Sequence, residues 1–535
     1  MTDEIGWCAS GRGGAVAAGG AGSVAAGLEL LAEGANAVDA AVATILALAV
    51  TDYGLFAIGG EAPFMFSDAT ERRVRVLSGV GRAPLDPAAI AGYYETGIPD
   101  QGSYRAMPVP GAPHLCFTAL AAYGTVSFGR AVAPALRLLE QGELEWHPRL
   151  AETLRRLVDA EASASGSREE KLLAARTLFY RGEIARELVA WYAEVGSPLT
   201  QTDLAAHVTT FEAPVSVDWR GLSVHKCGPW TQGPVLCQAL RLLEGYDLRA
   251  LGHLSPEHVH LVTEAMKLAY ADRDLYYADP EFAGVPLGRL LTDDYTLMRR
   301  ALIDDARASL ERRPGDPYAM QPLTTPDVTQ ANEVTTPISD TTTCVVADRW
   351  GNVVAATPSC NLCGNQPDHR TGVVQGNRLR CMNTNPAHPN RLEPGKRPRV
   401  TLTPTLVTRE GRAVAAISVA GGDVQDQTTL NALLNHVEFD MRPAEAVTAP
   451  RFSTDHLENS FSSDPDRARA FKAPGTLQLN LGIPEAVRDE LAARGHTVTI
   501  AEGFIGMPVM LSIGADGTIH AAGDPGAGRH AGALD

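Results

Sequence analysis

Ser339-Asp340-Thr341-Thr342-Thr343-Cys344-Val345-Val346-Ala347-Asp348 is the stretch that decides how this 535-residue chain is read. Upstream, residues 312–339 hold Pro314, Pro317, Pro322, Pro326 and Pro337, many threonines and little apolar periodicity, the texture of an exposed linker. Downstream come short β-branched segments at 342–347, 353–356, 401–407 and 413–419, with Gly351-Asn352 marking a hairpin-like turn. Threonine suits strands, so a threonine run that opens one is ordinary. A second reading is chemical. Were the chain to break before Thr341, that residue would carry a hydroxyl nucleophile and a free α-amine to act as its base, and an ordinary α-amine pKa of about 7.7–8.0 lies close to neutrality. Taken alone, the run favours the ordinary reading.

Working toward the N-terminus, the pattern is helical. Residues 24–32 have helix-forming composition, Gly34 stands where a helix would stop, and Asp39 falls in the first turn of a second helix running to about Val50. Ile58-Gly59-Gly60-Glu61-Ala62-Pro63-Phe64-Met65-Phe66 reads as a glycine turn entering a strand. Apolar residues at three- and four-residue spacing predict helices at 130–140, 150–157, 169–180 and 256–275, and 215–225 alternates like a strand. Late in the chain, 428–437 and 485–494 read as helices, and 497–501 and 509–513 as strands. The expectation is a helical first part, a joint near 312–340 and a sheet-rich last part, without internal repeats.

With 46 Lys+Arg against 63 Asp+Glu the formal net charge is −17, and no long basic run is present. Nucleic acid and anionic membrane are therefore set aside as partners. Apolar residues at 45% and charged residues at 20% allow a large core and argue against disorder. The opening Met-Thr-Asp-Glu lacks the basic start of a secretory signal. The most apolar run, 37–50, contains Asp39 and falls short of the roughly 20 residues needed to span a bilayer. Eight scattered cysteines then read as reduced thiols, and a cytoplasmic location is expected.

Other motifs carry less. Gly20-Ala21-Gly22-Ser23-Val24-Ala25 matches a loose dinucleotide fingerprint, but the next element is another helix with no strand ending in an acid, so close packing through small residues explains it better. Cys360-Asn361-Leu362-Cys363, even with Cys381, His369 and His388, lacks the second pair a zinc site needs. His258 and His260 lie two apart on a helix and so face different ways. Neither a G-x-S-x-G elbow nor an H-E-x-x-H helix occurs.

The context of the threonine run changes its weight. Gly34-Ala35-Asn36-Ala37-Val38-Asp39-Ala40-Ala41-Val42-Ala43 followed by Gly59-Gly60, then Asp203-Leu204-Ala205, Trp219-Arg220-Gly221, Leu243-Glu244-Gly245-Tyr246-Asp247-Leu248 and the block from His260 to Arg273 occur in order. After Thr341 come Arg397-Pro398, Thr403-Pro404-Thr405, Ala420-Gly421-Gly422 and Ala449-Pro450-Arg451-Phe452. This succession resembles the γ-glutamyltranspeptidase family over nearly the whole chain.

The resemblance implies an α+β fold, the four-layer αββα sandwich of the N-terminal-nucleophile hydrolases. It implies a precursor cut between Asp340 and Thr341 into a large subunit, 1–340, and a small subunit, 341–535, which interleave in one fold and stay associated. Thr341 is then nucleophile and base, Ser359 stands where a family threonine supports the nucleophile, Asn361 contacts substrate, and the Gly421-Gly422 N–H groups form the oxyanion hole. No metal or organic cofactor is required, and the partner is a small amide or acyl substrate.

The departures from the family pattern concern the substrate. Val80 occupies the place of the arginine that holds a γ-glutamyl carboxylate, with Arg82 as a substitute two residues on in Gly79-Val80-Gly81-Arg82-Ala83-Pro84. The acidic pair for the α-amine is replaced by Asn383-Thr384-Asn385-Pro386-Ala387-His388, with His388 at the aspartate position, and the serine pair by Val400-Thr401. The reading is thus an autoprocessed threonine amidohydrolase or acyltransferase in which glutathione is a poor substrate candidate. The alternatives are an oxamate- or oxalyl-type amidohydrolase, to which a Gly-Arg-Ala-Pro block points, a homologue recruited to specialised metabolism for an unusual C–N or C–C acyl bond, or an uncleaved ligand-binding homologue.

Overall fold

The computed structural model describes residues 5–99, 102–323, 340–360 and 366–535. Two seven-stranded antiparallel sheets stack face to face between helices. The first sheet runs, strand by neighbouring strand, His530–Leu534, Gly14–Ala18, Cys344–Asp348, Val353–Ala356, Phe64–Asp68, Arg73–Leu77 and Phe211–Glu212. The second runs Cys8–Gly11, Ile519–Gly523, Met507–Ile513, Arg412–Ala420, Thr405–Arg409, Leu222–Lys226 and Val215–Trp219.

Three cores follow from the two-residue period of the strands. Ala15, Ala17, Val345, Ala347, Val353 and Ala355 point between the sheets and meet Leu406, Ala416, Val509, Leu511 and Ile519 of the second sheet. Their alternates Val16, Ala18, Cys344, Val346, Val354 and Ala356 point outward to the helices Ala21–Ala32, Ala37–Thr51 and Ala112–Tyr123. On the far side Val224, Ile417, Val419 and Met510 face the helices Pro234–Leu243, Pro256–Tyr276 and Gln425–Val437. Helix, sheet, sheet, helix is the four-layer α+β order that the resemblance implies.

The Gly-Ala stretch near the N-terminus packs rather than binds. A Cβ on Gly27 would lie 2.4 Å from Thr44 Oγ1 and 2.9 Å from Val16 Cγ2, so the first two helices and the strand beneath them approach through bare backbone. Asn36 and Asp39 form a reciprocal cap that starts the second helix, and Asp39 also accepts from Thr125 N at 2.8 Å.

Two expectations need correcting. Residues 215–225 are a hairpin of two strands, Val215–Trp219 and Leu222–Lys226, because Arg220 and Gly221 both take positive φ (51° and 79°), the geometry of a two-residue turn. Residues 312–323 are not a loose linker. Gly315–Asp316 pairs with Gln321–Pro322, Arg312 bonds Glu458, and Arg313 bonds Glu264; residues 324–339 lie outside the described part. The first part is mainly helical as expected, and both sheets draw strands from each side of Thr341.

Gly27 and Gly92 offer a contrast within this fold. A Cβ on Gly92, in the helix Pro87–Thr96, would meet nothing within 4 Å. Gly92→Ala is expected to stabilise by up to about 1 kcal/mol, and Gly27→Ala to destabilise by about 1–3 kcal/mol. Thermal unfolding of the two variants beside the parent checks this; a Gly27→Ala midpoint at or above the parent's would contradict the packing.

Candidate active site

Thr341, Ser359 and Glu61 lie where three neighbouring strands of the first sheet run on past its end. Thr341 bridges Ser359, and Ser359 bridges Glu61, with Ser359 N donating to Glu61 O at 2.8 Å and Glu61 N donating to Ser359 O at 2.9 Å. Gly60 makes this approach feasible, since a Cβ there would sit 2.2 Å from Ser359 O. Alternation then separates the three threonines. Thr342 Oγ1 turns to the Asp52 carboxylate and takes a bond from Arg529 at 2.9 Å, Thr343 Oγ1 is buried without a partner among the described residues, and Thr341 alone faces Ser359.

Thr341 is fully buried. Its Oγ1 lies 3.1 Å from Ser359 Oγ and donates to Asp340 Oδ1 at 3.1 Å, while Ser359 Oγ donates to the carbonyl oxygen of Asp340 at 2.6 Å. Two residues absent from the sequence reading complete the cluster. Arg378 donates to Ser359 Oγ, pairs with Glu61 Oε1 at 2.6 Å and lies 3.5 Å from Asp340 Oδ2. Glu61 was legible in principle, as the one acid in the apolar run 58–66. Arg378, which opens the one-turn 3₁₀ helix Arg378–Cys381, left no signal because so short an element carries no periodicity.

The electrostatics of this pair are opposed. Burial pushes Glu61 up to about 7 against the pull of the Arg378 guanidinium. Burial also works against the charge on Arg378, but Glu61 and Asp340 outweigh it and hold the guanidinium protonated. The ring of Phe461 lies 5.8 Å from that guanidinium and lies against Gly422, where a Cβ would come 3.1 Å from Phe461 Cε2. Gly421 and Gly422 follow the strand Arg412–Ala420 and take φ of 141° and 61°, which glycine alone adopts without strain.

The remaining sequence candidates are placed less uniformly. Asn361 lies outside the described residues, and so does Cys363. Asn383 is buried with its amide spent, donating to Asp464 O at 2.8 Å and accepting from Asn385 N at 2.7 Å. His388 Nε2 lies 3.6 Å from Glu458, whose carboxylate also meets Arg312 and Arg467. Burial would raise the pKa of Glu458, yet His388 and the two guanidinium groups hold it well below the usual range. Thr401 is fully buried. Arg82 lines a separate cleft of about 330 Å³ with Val109, His207 and Gly395, where Glu281 takes it bidentately at 2.9 and 3.0 Å.

One trio among the described residues has metal-ligand character: His260, Glu264 and His496. Its donors are already engaged. Both nitrogens of His260 are bonded, to His496 and to Asp304 O, and Glu264 is held by Lys267 at 2.7 Å and Arg313 at 2.9 Å, two cations that would repel a metal ion.

Comparison with known proteins accords with this geometry. A family model described as Gamma-glutamyltranspeptidase matches residues 23–156 and 139–534. The Acylase ACY 1 proenzyme of Pseudomonas sp. (strain SE83) is 31% identical over 548 residues, covering 93% of this chain and 89% of its own. The chain belongs to the gamma-glutamyltranspeptidase family. Another relative in that family is the Glutathione hydrolase proenzyme of Bacillus subtilis (strain 168), 29% identical over 91% of this chain and 85% of its own. The solved structure of LmbA2991HD is 31% identical, with a TM-score of 0.88 over the whole of both chains. A cephalosporin acylase from Bacillus halodurans, TM-score 0.81 at 24% identity over 99% of this chain and 97% of its own, shares the fold. The chain is thus an enzyme of the N-terminal-nucleophile hydrolase and acyltransferase class, a self-processing precursor related to transpeptidases and acylases that acts on acyl–amide bonds of small molecules. Among the described residues, no helix is long and apolar enough to cross a membrane.

Glu61 predicts a pH dependence. With its pKa raised from 4.5 to about 7, the folded chain holds a proton that the unfolded chain has lost across that window, so this group's contribution to stability declines as pH rises through it. In the uncut Thr341→Ala chain, the unfolding midpoint should fall between pH 4.5 and 7 more steeply than in Thr341→Ala/Glu61→Gln. Equal slopes would remove Glu61 from the account.

Proposed function

We propose that this member of the family is a threonine amidohydrolase that cuts its own Asp340–Thr341 bond and then hydrolyses a small acyl amide through an ester on Thr341, and that its substrate is not the γ-glutamyl group of glutathione. The observation that carries the first half is the position of Thr341 Oγ1, 3.1 Å from the Asp340 carboxylate, while Ser359 donates to the Asp340 carbonyl at 2.6 Å. Asp340 Oδ1 takes the hydroxyl proton, Oγ1 attacks the polarised carbonyl carbon, and the C–N bond breaks as its nitrogen is protonated. Water then hydrolyses the ester, leaving 1–340 and 341–535 as two interleaved chains. In the cut enzyme the freed α-amine of Thr341 takes the Oγ1 proton, and the backbone N–H groups of Gly421 and Gly422 stabilise the oxyanion, typically worth about 3 kcal/mol for such a donor.

The second half rests on charge. A γ-glutamyl head group needs a cation for its carboxylate and an acid for its ammonium. At the place of that acid stands His388, which leads to a glutamate already surrounded by arginines. An oxamate- or oxalyl-type acyl group, or an unusual acyl bond of a specialised pathway, places no such demand for an ammonium partner, and the likeness to the Acylase ACY 1 proenzyme supports an acyl amide as substrate.

Rapid quench of the cut enzyme with oxanilic acid and a series of short acyl anilides, followed by intact mass, is expected to show an acyl adduct on the chain that begins at Thr341. Glutathione should be turned over with kcat/KM at least about 10³-fold lower than the best anilide, because a mismatched polar head group leaves buried charges unpaired. Comparable turnover of glutathione would contradict the substrate assignment, and absence of adduct and of product with every anilide would contradict the hydrolase.

A further inference from the structure

Arg399 follows Arg397-Pro398 in the segment that leads to Thr401, and 5% of it is exposed. Its backbone N–H donates to Asn390 Oδ1 at 2.9 Å, and its Nη1 donates to Ser460 Oγ at 3.2 Å. Ser460 spends its own proton on Asp423 Oδ1, so it offers Arg399 a lone pair and no charge. Among the described residues no carboxylate lies within 4.0 Å of this guanidinium. Every other buried cation nearby has one: Arg273 has Asp274 and Asp423, Arg378 has Glu61, Lys472 has Asp423, and Arg397 has Asp279. The consequence appears in the titration. Burial first, and then the neighbouring Arg273, bring Arg399 down to about 10, whereas Arg273, Arg378 and Arg397 are all raised by their carboxylates.

Its place in the fold is equally specific. Asp423 follows Gly421-Gly422 directly, and Phe461, the neighbour of Ser460, packs on both Gly422 and the Arg378 guanidinium. Cys381 lies 3.9 Å from Arg378 Nη1. Arg399 is thus linked to the glycine pair through Ser460 and Asp423, and the residue next to Ser460, Phe461, packs on Arg378, which supports Ser359. Asp274 and Asp423 favour its charge from beyond contact distance, yet a buried guanidinium with no carboxylate in contact is expensive, and its cost falls when a ligand supplies one. With Nη1 on Ser460, the Nε–Nη2 edge remains, the fork that grips a carboxylate bidentately.

We propose that Arg399 is the acyl-group receptor of this enzyme, binding a carboxylate carried by the acyl moiety of the substrate, so that the preferred substrates are monoamides of dicarboxylic acids. This deepens the amidohydrolase reading and rests on it for the position of Thr341. The expected preference is for chain lengths that let one carboxyl sit on Arg399 while the amide carbonyl meets Thr341.

The test uses the self-cleaved enzyme and the p-nitroanilides of oxalic, malonic, succinic, glutaric and adipic acid, each beside its own methyl ester. The wild type should prefer the free acid at the best chain length, and the acid-to-ester ratio of kcat/KM should fall by about 10² in Arg399→Met, with Arg399→Lys between because the charge stays and the fork is lost. In parallel, the free dicarboxylate of that length should raise the melting temperature of the wild type and not of Arg399→Met. An acid-to-ester ratio near one in the wild type, or a ratio unchanged by both substitutions, overturns the proposal. A carboxylate-dependent melting shift that needs Arg399, without turnover of any anilide, upholds the anion site and overturns the hydrolase reading instead.

Discussion

The buried guanidinium of Arg378 is the interaction on which the site depends. It joins Glu61, Ser359 and Asp340 at one point, and each of those residues comes from a different stretch of chain. Removing one partner of such a pair leaves an uncompensated buried charge, commonly at a cost of about 3–5 kcal/mol. That penalty keeps the Ser359 hydroxyl fixed against the Asp340 carbonyl. Thr341 gains its orientation indirectly, through the two groups that Arg378 holds.

The sandwich supplies the frame for that point. Strand Cys344–Asp348 is flanked on both sides in its sheet, so the residues just before it inherit a rigid register. Strand alternation sends Thr342 to Asp52 and Arg529 and leaves Thr341 facing Ser359. The second sheet delivers Gly421-Gly422 from the end of Arg412–Ala420, and Ser418 of that strand donates to Ala356 O at 2.8 Å across the gap between sheets. Thr341 and the glycine pair thus come from opposite layers tied together by a short polar contact.

Much of this was readable in the sequence, and the exceptions have physical causes. The helices at 37–51, 169–180 and 256–276 carried their caps and apolar faces openly, and the β-branched segments after Thr341 announced strands. Gly14–Ala18 did not, because a strand buried on both faces between a tight helix and a second sheet is built from small residues that carry no β signature. The joint at 312–323 looked loose because prolines and threonines mask two arginines, Arg313 and Arg312, whose partners Glu264 and Glu458 lie 49 and 146 residues away in sequence. In the site, Thr341 stood out in a local run, but its weight and the places of Asp340, Ser359 and the glycine pair came from the resemblance of ordered blocks along the chain, whereas Arg378 and Arg399 owe their meaning to partners present or missing in space.

Charge balance around the nucleophile therefore separates what the scaffold does from what the substrate must bring. Arg378 is neutralised from within by Glu61 and Asp340, whereas Arg399 has no carboxylate in contact among the described residues and is the group we propose for the acyl carboxylate. Both depend on Thr341 being a nucleophile at all. Intact mass and N-terminal sequencing of the purified protein beside a Thr341→Ala variant test that most directly. The account predicts two chains from the parent, the smaller beginning Thr-Thr-Thr-Cys, and one uncut chain from the variant. A parent that stays whole after long incubation, or a variant cut at the same bond, would contradict it.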